Sequence, residues 1–170
     1  VASPIDLGRP TVSIGNLTFG GTGKTPVTLA LARMLLDMGQ RPAILLRGYG
    51  RTTRGPRLVR PGDRPRDVGD EAILLARGLP QVPVAVGERR EEAAALVSGD
   101  CTVFLLDDGF QHMRVRRRVD LLLVDASRAS DLHAPPVGRL REGLSAAQRA
   151  HAILVTRGSA QDLPSSVSRH

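Results

Sequence analysis

The chain has 170 residues, of which 41% are apolar, and carries a formal net charge of +7. This length and composition suit one folded domain with a sizeable core and exclude a low-complexity, disordered chain. A single cysteine excludes an internal disulfide, three Phe and one Tyr leave few platforms for stacking a single strand of bases, and no apolar run reaches the ~20 residues of a membrane-crossing helix.

From the amino terminus, residues 1–10 are expected to form a tail without the pattern of a signal peptide. Short apolar runs then alternate with helix-length segments. Thr11 to Ile14 reads as a strand, Lys24 to Met38 as a helix, Ala43 to Leu46 as a strand and Asp70 to Arg77 as a helix. Val82 to Val86 reads as a strand, Arg89 to Val97 as a helix, and Thr102 to Leu106 and Asp120 to Val124 as strands. Ser145 to Arg149 suits a short helix before a last strand, Ala152 to Thr156, and residues 159–170 are expected to be a polar tail. Cys101 heads an apolar run and reads as a buried core thiol.

Runs without polar alternation mark strands covered on both faces, and strands separated by helices must cross over, so the sheet should be mostly parallel. Residues 11–158 therefore read as one α/β layered domain. Gly48 to Val68 and Ser127 to Gly143 are expected to be long loops, which in such sheets often carry function.

Of the 24 Lys and Arg residues, only Lys24 is a lysine. It lies in Gly20-Gly21-Thr22-Gly23-Lys24-Thr25, directly after the first strand and at the start of a helix. Glycines let backbone N–H groups close around phosphate oxygens, the helix adds its positive end, and a compact ammonium reaches between phosphates where a planar guanidinium does not. Thr25 would place its hydroxyl on Mg²⁺. The common pattern has glycine where this chain has Thr18.

A second motif supports the first: Val103 to Leu106 is an apolar strand ending in Asp107 and Asp108, an arrangement that orders Mg²⁺ opposite a phosphate loop. The pair implies a Mg²⁺-bound nucleoside triphosphate and a three-layer P-loop NTPase fold. Asp70 and Glu71 open a helix, where carboxylates often serve only as dipole partners. Gln111 and His112 follow the aspartates closely enough to reach the active edge. The scattered arginines, with a run at Arg114, Arg116, Arg117 and Arg118, suit anionic small molecules or an anionic membrane face, and no nucleic-acid partner is expected.

Ser13 through Thr18 to Pro26, Arg47-Gly48-Tyr49-Gly50-Arg51, Val68-Gly69-Asp70-Glu71 and Asp107-Asp108-Gly109-Phe110-Gln111-His112, in that order, resemble the tetraacyldisaccharide 4'-kinases of lipid A synthesis. The resemblance covers about residues 11–157. It implies ATP-dependent phosphorylation of the 4'-hydroxyl of a tetraacyl glucosamine disaccharide 1-phosphate, at the cytoplasmic face of the inner membrane. It also implies that Gly20, Gly21, Thr22, Gly23, Lys24 and Thr25 hold ATP, that Thr25, Glu71, Asp107 and Asp108 surround Mg²⁺, and that Asp70 is the base. Arg47 and Arg51 are candidates to meet the acceptor's own phosphate.

The chain departs from the family's pattern at Arg118, where the family is acidic, and at Arg139, where it has proline. The family's amphipathic or apolar amino-terminal segment is not expected within residues 1–10, and His170 does not match the family's D-H motif. The chain as given is thus expected to be soluble, to be complete in its nucleotide half and to transfer phosphate weakly alone. Two alternatives stand beside this reading. One is an ATPase of the partitioning or septum-site type, which would need a lysine where Phe19 stands; the other is a nucleotide-binding module without catalysis.

Overall fold

The computed structural model describes residues 3–133, 136–164 and 167, so the outermost parts of the two expected tails lie outside the described residues. The chain runs β1 (Thr11–Asn16), α1 (Lys24–Asp37), β2 (Pro42–Leu46), β3 (Arg57–Leu58), α2 (Pro65–Val68) and α3 (Asp70–Gly78). It continues through β4 (Val84–Val86), α4 (Arg90–Ala95), β5 (Val103–Asp107), β6 (Val119–Asp125) and β7 (Ala152–Arg157). Short 3₁₀ turns span Ala126–Asp131, Leu144–Arg149 and Ala160–Asp162.

The strands form one sheet in the order β3-β4-β2-β5-β1-β6-β7. All neighbouring pairs are parallel except β3 with β4. In β2 and β5 every residue is buried. Their alternate side chains divide between two layers, which is why these runs lack polar alternation. Ile44, Leu46 and Leu105 meet Ala32 of α1 and Ala72, Ile73 and Leu75 of α3. Ala43, Leu45, Phe104 and Leu106 meet Ala93 and Ala94 of α4 on the opposite face. A third cluster, built on Leu122 and Val124 of β6, covers the other end of the sheet with Ala146 and Ala147. Cys101 is buried within the α4 layer, and burial raises its thiol pKa.

Three expectations need correction. The segment 48–68 is not wholly loop: it contains β3 and α2, which are too short to show a hydrophobic period. The first ten residues are not a free tail among those described, because Ile5 donates its N–H to Arg114 O at 2.7 Å, accepts from Arg116 N–H at 2.8 Å, and Leu7 packs on the α4 layer. The last segment is not wholly polar packing either, since Leu163 and Val167 are buried beside Leu122 and Val124. Isolated apolar residues in a polar stretch carry no periodic signal.

Phe104 has no exposed surface and sits in a central strand. Phe104→Ala should lower unfolding free energy by about 3–5 kcal/mol in urea titrations; a loss under about 1 kcal/mol would show that the α4 layer is not packed as described.

Candidate active site

In a parallel sheet all strands deliver their carboxyl ends to one edge, and a central strand with neighbours on both sides makes a crevice there. β1 occupies that position, between β5 and β6. Its exit, residues 15–23, turns into α1 through Gly20 (φ 111°) and Gly23 (φ 82°), left-handed conformations that a side chain resists. Among the described residues no side chain caps the start of α1. Its free N–H groups therefore remain available to an anion.

Lys24 is folded inward from that first turn, with 8% of its surface exposed. Its Nζ donates to Asn16 Oδ1 at 3.3 Å and lies 3.4 Å from Asp108 Oδ1. Asn16 is itself held because its Nδ2 donates to Thr18 O at 2.8 Å. The ammonium thus spans the exits of β1 and β5.

Asp107 and Asp108 are adjacent but electrostatically opposite. Asp107 is buried, and its Oδ1 accepts from Thr28 Oγ1 at 3.0 Å while its Oδ2 is buried with no hydrogen-bond partner among the described residues. Burial pushes its pKa up to about 6; the Thr28 bond and Lys24 oppose this, and the Glu71 and Asp108 carboxylates add to it. Asp108 adopts φ 53°, a left-handed turn that aspartate tolerates. Burial pulls its pKa upward, but Lys24 and Arg141 outweigh it and hold the carboxyl below its ordinary range. One residue therefore resists ionisation while the next is fixed as an anion.

The guanidinium of Arg141 donates from Nη1 to both Asp108 oxygens, at 2.9 and 3.0 Å, and lies 5.2 Å from the Phe19 ring centroid. Its segment is strapped to the glycine-rich loop that follows β1: Phe19 N–H donates to Arg139 O and Arg141 N–H donates to Leu17 O, each at 2.7 Å. Gln111 Nε2 donates to Asn16 O at 2.8 Å and to Glu142 Oε1 at 3.0 Å, joining the strap to β1. Residue-by-residue reading of the sequence missed this network, since Arg141 lies in an aperiodic loop 33 positions from Asp108.

Asp70 and Glu71 occupy the first turn of α3 and line the same cleft. Gly69 sets their direction with φ 94°, and a Cβ there would stand 2.9 Å from Tyr49 O, so a side chain would push the helix start outward. Residues 19–26, 46–49 and 68–72 with Asp107, Asp108, Arg141 and Arg157 line a cleft of about 900 Å³. All the expected site residues, Gly20 to Thr25, Asp70, Glu71, Asp107 and Asp108, line it.

Arg47 also lines the cleft, but Arg51 does not: its side chain is 2% exposed, with Nη2 2.7 Å from Glu88 Oε2. His112 is half-buried, and burial with the nearby Arg90 lowers its pKa. Among the described residues no three His, Cys, Asp or Glu side chains converge closely enough to cage a metal ion.

A family model described as tetraacyldisaccharide-1-P 4'-kinase matches residues 1–169. The tetraacyldisaccharide 4'-kinase of Dechloromonas aromatica (strain RCB) is 44% identical over 157 residues, 91% of this chain and 47% of that protein. That of Geobacter sulfurreducens is 42% identical over 159 residues, 89% of this chain and 45% of that protein. A crystal structure of the "apo" form of LpxK from Aquifex aeolicus in complex with ATP superposes with a TM-score of 0.83 at 36% identity, covering 91% of this chain and 50% of that one. The chain thus spans about half the length of the relatives it matches.

A folded-state pKa near 6, above the ordinary 3.8, means that Asp107 favours the folded state below about pH 4 and loses that contribution as pH rises through 6. Asp107→Asn keeps an acceptor for Thr28 and removes the titration. It should stabilise the unliganded protein by up to about 3 kcal/mol at pH 7.5, with the gain vanishing toward pH 4 in denaturant titrations. A stability difference that does not change with pH would contradict the buried-carboxylate account.

Proposed function

The chain belongs to the tetraacyldisaccharide-1-P 4'-kinase family, and we propose that it carries the nucleotide-binding part of an enzyme that phosphorylates a lipid A precursor with ATP. The acceptor is the 4'-hydroxyl of a tetraacyl glucosamine disaccharide 1-phosphate. The observation that carries this reading is the convergence of Lys24, Asp107 and Asp108 at the start of a helix without a side-chain cap, in a cleft that Asp70 and Glu71 also line. On this reading residues 11–158 are the nucleotide-binding unit.

The residues present fit Mg²⁺. Thr25, Glu71, Asp107 and Asp108 offer only hard oxygen donors, and the unpartnered Asp107 Oδ2 is an oxygen left over for a cation. Magnesium usually keeps several waters and takes one or two carboxylates with phosphate oxygens, so no closed protein cage is required. When bound it would draw off negative charge from the β- and γ-phosphates.

Phosphoryl transfer asks a protein mainly for alignment, neutralisation and one proton acceptor. Backbone N–H groups of Gly20 to Thr25 cradle the phosphates, and Lys24 turns from Asp108 toward them. Asp70, on a helix start fixed by Gly69, accepts the proton of the sugar hydroxyl as that oxygen attacks the γ-phosphorus of ATP and the bond to the β-phosphate oxygen breaks, releasing ADP. Arg47 stands where it can meet the acceptor's own phosphate; Tyr49 is 88% exposed at the same mouth. Since the acceptor is acylated, the protein would meet it at the cytoplasmic face of the inner membrane. No helix among the described residues is long and apolar enough to cross that membrane. The partitioning-type ATPase reading finds no support in the family assignment, and Phe19, where that class has a lysine, lies beneath Arg141.

Two variants of the full-length protein separate binding from chemistry. Lys24→Ala should weaken Mg-ATP binding about 10- to 100-fold by calorimetry. Asp70→Asn should leave that affinity within about twofold and lower label transfer to the disaccharide by about 10²- to 10⁴-fold. Wild-type affinity in Lys24→Ala, or unimpaired transfer in Asp70→Asn, would contradict the assignments.

A further inference from the structure

Two of the stretches that line the cleft, 46–49 and 68–72, are joined by a segment that takes no part in the proposed chemistry. That segment is strongly basic. Residues 50–67 contain six arginines and, as their only acids, two aspartates. They leave the cleft mouth at Tyr49, which is 88% exposed, and return to it at Val68.

The segment is tied shut at its neck, where Thr52 donates to Arg66 O from its N–H at 2.8 Å and from Oγ1 at 2.9 Å, and Thr53 Oγ1 donates to Asp67 O at 2.6 Å. Leu58 and Val59 of β3 pack against the core. Its acids are engaged within it: the Asp63 side chain, 7% exposed, accepts from Arg60 N–H at 2.8 Å and pairs with the Arg57 guanidinium. Burial pulls the Asp63 pKa up, but the Arg60 N–H and Arg57 outweigh it and hold the carboxyl below its ordinary range. Arg51 is paired with Glu88, and Arg66 lies 4.0 Å from Asp67. Among the described residues Arg54, Arg60 and Arg64 have no carboxylate partner, and all three are exposed. Unpaired guanidinium groups are thus left at the surface beside the cleft mouth.

The other basic run, Arg114 to Arg118, precedes β6 and so lies at the amino ends of the parallel strands, the edge opposite the cleft. Arg116 and Arg117 there already pair with Asp6 and Asp120. An acylated acceptor keeps its chains in the bilayer while its sugar enters the cleft, so the surface beside the mouth is the one that meets headgroups. Guanidinium groups bind phosphate oxygens through paired N–H donors, and an anionic leaflet attracts each basic residue brought near it. Tyrosine suits the headgroup level.

We propose that residues 49–66 form an electrostatic docking surface for anionic phospholipid headgroups, with Arg54, Arg60 and Arg64 on the phosphates and the cleft mouth at Tyr49 turned toward the bilayer. The inference rests on the lipid-kinase reading above, and the test keeps the two apart. Co-sedimentation of the full-length protein compares vesicles of phosphatidylcholine with vesicles of equal parts phosphatidylcholine and phosphatidylglycerol. The combined variant Arg54→Gln, Arg60→Gln, Arg64→Gln should lose about 10²-fold in affinity for the anionic vesicles, and the wild-type preference for them should fade as salt rises. Arg54→Lys, Arg60→Lys, Arg64→Lys keeps the charge and should stay within about threefold of wild type. So should Arg114→Gln, Arg116→Gln, Arg118→Gln, which removes equal charge at the opposite edge, about a Debye length or more away. Mg-ATP affinity should be unchanged in all three variants, which reports a folded site.

Wild-type vesicle binding in the first variant would overturn the inference while leaving the kinase reading intact. Equal losses in the two glutamine variants would overturn it too, by reducing the effect to net charge. Loss of duplex DNA binding in the first variant, with vesicle binding unchanged, would assign the segment to a nucleic acid instead. A wild-type protein that transfers no label to a detergent-dispersed acceptor would remove the kinase reading and this inference together.

Discussion

The site depends on one ammonium held between two strands. Lys24 is the first residue of α1, yet its side chain turns back to Asn16 at the end of β1 and to Asp108 beyond β5. A buried ammonium is tolerable only when it is paired, and exchanging one anion for another is far easier than creating a partnerless charge. The chain therefore holds a cation in place whose present partner, Asp108, is shared with Arg141. A phosphate that takes Lys24 leaves Asp108 still paired.

This arrangement follows from the sheet. Parallel strands bring chemically different residues to one edge, and the burial of β5 on both faces places Asp107 in an apolar setting while the next residue turns out of the strand. Burial dominates at Asp107, and two cations dominate at Asp108. The strap from Arg139 to Glu142 supplies the second of those cations and ties the phosphate loop through backbone bonds and through Gln111. The cleft is thus assembled from segments far apart in the chain, each fixed by the same sheet edge.

Much of this was readable from local pattern. The continuous apolar runs of β2 and β5 announced a parallel sheet, and a lone lysine among arginines pointed to the phosphate loop. The strand followed by Asp107 and Asp108 placed the acidic side. What could not be read was long-range pairing: Arg141 to Asp108, Gln111 to Asn16, and Asp125 to Arg157 across a bulge. These contacts arise from tertiary proximity and leave no periodic trace. Arg47 and Arg51 show the same limit, since four positions separate an arginine lining the cleft from one buried against Glu88. The role proposed for Asp70 rests on family resemblance, because carboxylates in a first helical turn are ordinary dipole partners.

The most direct measurement is a crystal structure of the chain with Mg²⁺ and a non-hydrolysable ATP analogue. The account predicts triphosphate oxygens against the backbone of residues 20–25, with Lys24 Nζ moved into hydrogen-bond distance of them and Asp108 still held by Arg141. A nucleotide bound elsewhere, or a Lys24 that keeps its place between Asn16 and Asp108 without touching phosphate, would contradict it.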